Sequence, residues 1–218
     1  MTLDPALIPT DTAVSTYALI RDETAERKAA TFLLGDNLER TTQGGGIYTY
    51  TSQQGAAAFR DTGSFDAAGS LSQENAEAFC WDFCKAFSYD TPIFTLDETG
   101  SGTATAVRLW SGTPVFNAAV TFTIDQGRVL SASGALLPET GAETSSGQKP
   151  LSAFAALTAF QQMRHASSSV VSSITEVSLC YELQSTTAAP MALVPSWRIV
   201  TDTATFYVNC ISGTVRRA

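Results

Sequence analysis

Histidine is almost missing from this chain and lysine is scarce, with one His, at position 165, and three Lys among 218 residues. A lone imidazole leaves little for a zinc centre or for a Ser–His or Cys–His nucleophile, because each needs further groups beside the histidine. Near the end of a helical stretch, His165 reads as a surface residue at the negative end of the helix dipole. No Gly-x-Ser-x-Gly elbow, acidic calcium loop or Cys-x-x-Cys pair is present. The acid pairs Asp97-Glu98 and Asp61 with Asp66 fall in turn-like segments and read as solvated loop acids. Basic residues number 13 against 21 acidic ones, a net charge of −8, which argues against a nucleic-acid backbone or an anionic lipid surface as partner. No apolar run approaches the roughly 20 residues of a spanning helix. The opening MTLDPALIPT has neither the charged nor the apolar region of a signal peptide. Four cysteines are too few for a disulfide scaffold.

What is present is a globular composition, 44% hydrophobic and 16% charged. Residues 12–34 carry apolar positions at helical spacing, with Asp11 as N-cap and Gly35 as stop. Gly44-Gly45-Gly46 is a joint and not a phosphate loop, since a strand-like run, 47–51, follows it. Residues 56–60 and 64–68 extend that run into a small antiparallel meander. A strong helix opens at Ser72, read as its cap, and buries Ala76, Phe79, Cys80, Phe83, Cys84 and Phe87 on one stripe, leaving Trp81 off it. The cysteines of that stripe read as small apolar filler. Four strands follow, 93–97, 104–110, 115–124 and 128–133, with Asp125-Gln126-Gly127 as a hairpin loop and Val107 and Leu109 sharing a face. The polar run 138–150 reads as a linker.

Beyond it, Ser152 caps a helix with Phe154, Leu157 and Phe160 on its apolar face. A strand at 174–183 slips phase near Glu176, and a hairpin at 193–211 closes the chain with Trp197, Ile199, Phe206, Val208 and Cys210 as core. Short turns between successive strands argue for an α+β fold with antiparallel sheets. The expected architecture is two helix-on-antiparallel-sheet units in tandem, preceded by an N-terminal helix. Its parts are a helical lead at 1–45, a first unit at 46–138 and a second at 150–218. Arg198, between Trp197 and Ile199, points opposite to both. It is free to stack on an aromatic ring or hold a carboxylate, as a structural ion pair or as a ligand contact.

Pro195, Trp197-Arg198-Ile199, Tyr207-Val208-Asn209 and Ser212-Gly213 together resemble the closing motif of the YycH/YycI regulatory proteins. The run GRVLSASG at 127–134, Leu151-Ser152-Ala153 and Cys180-Tyr181 are similar to the same family, so the resemblance covers best residue 115 to the C-terminus. It implies PepSY-like units and a non-enzymatic, extracytoplasmic domain. Such a domain belongs to a membrane-anchored accessory protein of a Gram-positive two-component system. The anchor would lie outside this sequence. It further implies a protein partner, a sensor kinase or another cell-envelope protein, with no cofactor and no nucleic acid. Trp197, Arg198, Tyr207 and Asn209 become the interaction or structural motif. Cys180 and Cys210 stand where small residues such as Gly and Ala are expected, in keeping with filler; whether these or Cys80 and Cys84 oxidise is open at this level. A second reading also stays open, a PepSY-type inhibitor or chaperone-like domain for a secreted peptidase.

Overall fold

Much of the chain alternates, and alternation builds strands. TATAVRLW, TFTID and TFYVN each send one side chain inward and the next outward. The computed structural model describes residues 2–10, 14–72, 75–144, 149–167, 170–185 and 189–218. After a 3-10 turn at Pro5–Leu7 the elements run β1 (Thr16–Leu19), α1 (Glu23–Leu34), β2 (Glu39–Gly44), β3 (Ile47–Ser52), β4 (Gly55–Phe59) and β5 (Ser64–Gly69). Then come α2 (Ala76–Ala86), β6 (Ile93–Leu96), β7 (Gly102–Trp110), β8 (Thr113–Asp125), β9 (Arg128–Ala135) and β10 (Gly141–Thr144). The chain closes with α3 (Ala153–Ser167), β11 (Ile174–Gln184), β12 (Met191–Thr201), β13 (Thr205–Asn209) and β14 (Val215–Arg217). These form two compact units, one of Leu19–Gly141 with Ser185–Met191, the other of Met1–Ala18, Ala142–Gln184 and Ala192–Ala218.

In the unit of Leu19–Gly141, eight strands pair in the order β6-β7-β8-β9-β5-β4-β3-β2, antiparallel throughout. At the β8–β9 turn Gln126 and Gly127 both have positive φ, 49° and 76°. That is the backbone of a tight hairpin, and glycine adopts it without a steric penalty. One sheet face is apolar, built from Phe59, Phe65, Val120, Phe122 and Ile124, and α1 and α2 contribute to the same core. Phe32 of α1 meets Phe79, Phe83 and Phe87 edge-on at 5.2, 5.5 and 6.0 Å between centroids. Each such pair adds about 0.5–1.5 kcal/mol to the area term. Asp22 caps α1 by accepting the Thr24 and Ala25 N–H groups, and Gly35 ends it.

In the other unit β12 is the central strand. It pairs antiparallel with β11 and with β13, and β14 adds to β13. β1 also borders β12, with β10 beyond it. Trp197, Ile199, Phe206 and Val208 fill one sheet face and share a core with Ala153, Ala156, Leu157 and Phe160 of α3. Ser152 caps α3 as expected, its hydroxyl accepting from Ala155 N at 3.3 Å. The β11–β12 register shifts between Ile174 and Glu176, where the alternation slips.

The expectation of two helix-on-sheet units in tandem behind an N-terminal helix is overturned. The described residues hold fourteen strands and only three α-helices, so strand dominates. Residues Thr16–Leu19 form a strand, and the first α-helix starts at Glu23. The proposed cap Asp11 lies outside the described residues. α1 is part of the first unit's core and not a separate lead; Ala29, Ala30, Leu33 and Leu34 are buried with the eight-stranded sheet. That unit therefore carries two helices where one was expected. The cap of α2 also differs. Asn75, in the left-handed conformation, accepts from Ala78 N, while the Ser72 hydroxyl accepts from Val129 N. Within the run read as a linker, Gly141–Thr144 is strand β10.

Candidate functional site

The closing hairpin places its four motif residues on two opposite faces. Trp197 lies in register with Leu179 and Val208, is fully buried, and donates its indole N–H to Leu151 O at 2.9 Å, just ahead of α3. Asn209 Oδ1 accepts from Ile211 N and Ser212 N, both at 2.9 Å, and so shapes the turn into β14. Both residues hold the hairpin together. Arg198 and Tyr207 face away from Trp197, in register with each other. Arg216 of β14 is opposite Tyr207 on its far side, so the ring lies in a cross-strand row between two arginines. The structure therefore brings Arg198 and Tyr207 together and leaves Trp197 and Asn209 to the scaffold.

Each guanidinium in this row has a carboxylate. Arg198 Nη1 is 2.6 Å from Glu176 Oε1, and Arg216 pairs with the buried Glu182. Glu176 also accepts from Ser178 Oγ at 2.7 Å. That hydrogen bond first, and Arg198 second, hold its carboxyl below the usual range. Burial pushes the Tyr207 hydroxyl up, and Arg198 opposes the shift. Cys180 sits on the same sheet face, its thiol donating to Ser196 O at 3.2 Å and pushed up by burial. A thiol raised in this way stays protonated and is a poor nucleophile near neutrality. The Ser196 hydroxyl is buried without a hydrogen-bond partner among the described residues. No group of three His, Cys, Asp or Glu is placed to hold a metal ion among them. His165 is exposed in the last turn of α3. What the face offers is two charge-assisted pairs beside a phenol, groups that bind carboxylates, guanidiniums and amides directionally.

Two further arginine clusters escape sequence reasoning. Arg108 is 0% exposed and donates to Ser88 O at 2.7 Å, Leu109 O at 2.9 Å, Leu137 O at 2.8 Å and Glu139 Oε1 at 3.0 Å. Its inward position follows from Ala104, Ala106 and Trp110, which share its parity on β7, so Val107 and Leu109 take the other, half-buried side. The second cluster is a sandwich. Arg21 and Arg40 stack on the two-strand-paired Tyr48 at 4.0 and 3.9 Å from its centroid, and the Tyr48 hydroxyl donates to Glu23 at 3.1 Å. Arg21 also pairs with the buried Glu26 at 2.6 Å; burial raises that carboxyl and Arg21 opposes the rise. Both clusters are committed within the protein. Only their placement opposite backbone carbonyls and rings marks them, and that has no local sequence signal.

No protein-family model matches the chain, and no curated protein matches it. Among solved structures it is similar to an uncharacterized protein from Eubacterium rectale, with a TM-score of 0.50 and 12% identity over 94% of this chain and 81% of that one. It is also weakly similar to the C-terminal domain of Bacillus megaterium YpeB, with a TM-score of 0.41 and 13% identity over 92% of this chain and 98% of that one. The first likeness is one of fold. The closing-motif resemblance to YycH/YycI proteins has no counterpart in these comparisons.

Proposed function

We propose that this chain is a non-enzymatic, extracytoplasmic protein-binding domain of a membrane-anchored accessory protein. Its partner is a two-component sensor kinase or another cell-envelope protein, in line with the YycH/YycI-like closing motif. The observation that carries the reading is the row Arg198–Tyr207–Arg216, set across three adjacent strands with Glu176 and Glu182 as counter-charges. Paired charges at the rim of a rigid sheet fix register and speed encounter more than they add affinity. The test is photo-crosslinking from position 207 in membranes of the source cell, with the captured protein identified by mass spectrometry. A kinase or envelope protein is expected, lost in Arg198→Glu and Arg216→Glu. Capture that persists unchanged in both variants refutes the proposal, and recovery of a secreted peptidase favours the inhibitor reading in its place.

A further inference from the structure

The eight-stranded sheet has two edges, and they are built differently. At one, β2 reads ERTTQG, exposed along its whole length, with charges at Glu39 and Arg40 and a register shift between Thr42 and Gly44. Charge and irregularity are the usual guards against another chain pairing there. At the other, β6 reads IFTL and pairs only with β7, in unbroken register from Ile93–Thr105 to Leu96–Gly102. It carries no charge and no bulge. Ile93 is 72% exposed and Leu96 37%, while Phe94 packs against the core and anchors the strand. Alternate residues of a strand paired on one side direct their N–H and C=O groups outward. These outward groups are a template for one more strand.

The charges that flank β6 along the chain are all acidic. Asp90 precedes β6, and Asp97 and Glu98 follow it. At the C-terminal end of the strand a third carboxylate converges. Ser101 N donates to Asp97 Oδ1 at 3.0 Å, and Ser101 Oγ donates to Asp125 Oδ1 at 3.0 Å. Hydrogen bonds from Thr99 and Ser101 hold the Asp97 carboxyl below the usual range, so it is ionised near neutrality. The edge is thus apolar along its length and acidic where it ends.

We infer that β6 takes up an extended peptide segment of a partner protein by antiparallel strand addition. The segment carries alternating apolar side chains along Ile93–Leu96 and lysine or arginine at its N-terminal flank, against Asp97, Glu98 and Asp125. The inference rests on the reading of the chain as a protein-binding domain but uses a different surface, so the two fail separately. The first probe is a fluorescein-labelled peptide of alternating valine and threonine with two N-terminal lysines. It is compared with the same peptide carrying two glutamates, and with the lysine peptide N-methylated at alternate residues. Anisotropy titration gives the affinity of each, and amide hydrogen exchange reports on β6. Binding of the lysine peptide is expected, weakened on the order of tenfold by glutamates, equivalent to about 1.4 kcal/mol. N-methylation abolishes it, and the β6 amides exchange more slowly in the complex. Ile93→Lys, at an exposed position that leaves the fold intact, lowers the affinity, and so does Glu98→Lys. No binding, or equal binding of all three peptides, overturns the inference. So does concentration-dependent dimerisation that Ile93→Lys abolishes, because the edge is then occupied by a second copy. If β6 fails these tests while Arg198→Glu still loses the crosslinked partner, only the peptide site is withdrawn.

Discussion

Replacing Arg108 by methionine tests whether a buried guanidinium holds the end of the eight-stranded sheet. Methionine keeps much of the volume and removes the charge and every donor. Ser88 O keeps a second partner, since Leu109 N donates to it at 2.8 Å, but Leu109 O and Leu137 O lose the Arg108 N–H groups. A buried acceptor stripped of its donor costs about 1–3 kcal/mol. Against this stands relief from keeping a cation out of water, sharpened here because Arg108 Nε is buried without a partner among the described residues. The balance is a loss of roughly 3 kcal/mol for two stranded carbonyls. In a protein of this size that lowers Tm by about 6–12 °C. Glu139 is the control. Its side chain is 66% exposed, so Glu139→Gln costs only about 0–1 kcal/mol even though it removes the ion pair. Lysine retains the charge without the planar fork, and Arg108→Lys falls between the two. Urea titration followed by tryptophan fluorescence and thermal melts gives all three. An Arg108→Met protein as stable as the parent would refute the reasoning, and the carbonyl contacts would then be incidental to a well-packed site.

Burial pushes Cys80, Cys84 and Cys210 from 9.0 up to about 12, and Cys180 up as well. Their folded values exceed the unfolded ones, so this contribution to stability is complete below pH 9 and declines as pH rises towards the folded values. Each thiol then costs about 1.4 kcal/mol per pH unit, and Cys80→Ala flattens the alkaline limb of a Tm–pH curve. A thiol reagent finds the four free cysteines unreactive in the native protein and reactive in denaturant; fast labelling of any one before unfolding contradicts the burial argument. Gly134 sits where an added Cβ would lie 2.2 Å from Ala119 O on the neighbouring strand. Gly134→Ala is therefore expected to cost about 1–3 kcal/mol in urea titrations, and a neutral result means the β8–β9 ladder gives way. Ser178→Ala removes the main hydrogen bond that depresses Glu176, so the Glu176 carboxyl titrates closer to its ordinary value in carbon-detected NMR. Because that folded value is lowered, the stability it contributes is present above the unfolded value and lost as pH falls through the folded one.

Local rules were legible wherever a pattern stays within one element. The stripe of α2, the Gln126-Gly127 turn, the Ser152 cap and the slip near Glu176 all follow from spacing and side-chain type. So does the core of the closing hairpin, because Trp197, Ile199, Phe206 and Val208 have nowhere else to bury their apolar surface. Strand β2 was illegible. ERTTQG has no apolar face, and only pairing to β3 makes it a strand. On β7 Val107 and Leu109 do share a face, but hydrophobicity alone does not say which face is the core, and theirs is the half-buried one. Ala104 and Ala106 are the buried ones, opposite Phe122 and Val120 of β8 and in the same core.

The candidate site divides in the same way. That Arg198 points opposite to Trp197 and Ile199 is a consequence of strand parity alone. That Tyr207 stands between Arg198 and Arg216, each with its own carboxylate, depends on cross-strand registers that join residues far apart in the chain. The sequence by itself determined where the chain turns, which helices carry an apolar stripe and which way each strand side chain alternates, since these depend on neighbours a few residues away. Only the tertiary structure decided that residues 1–18 belong with residues 142–184 and 192–218, that an arginine takes an inward position on β7, and which sheet edge stays bare. Those outcomes depend on which distant segment fills each volume and satisfies each backbone group, and no local pattern carries that information.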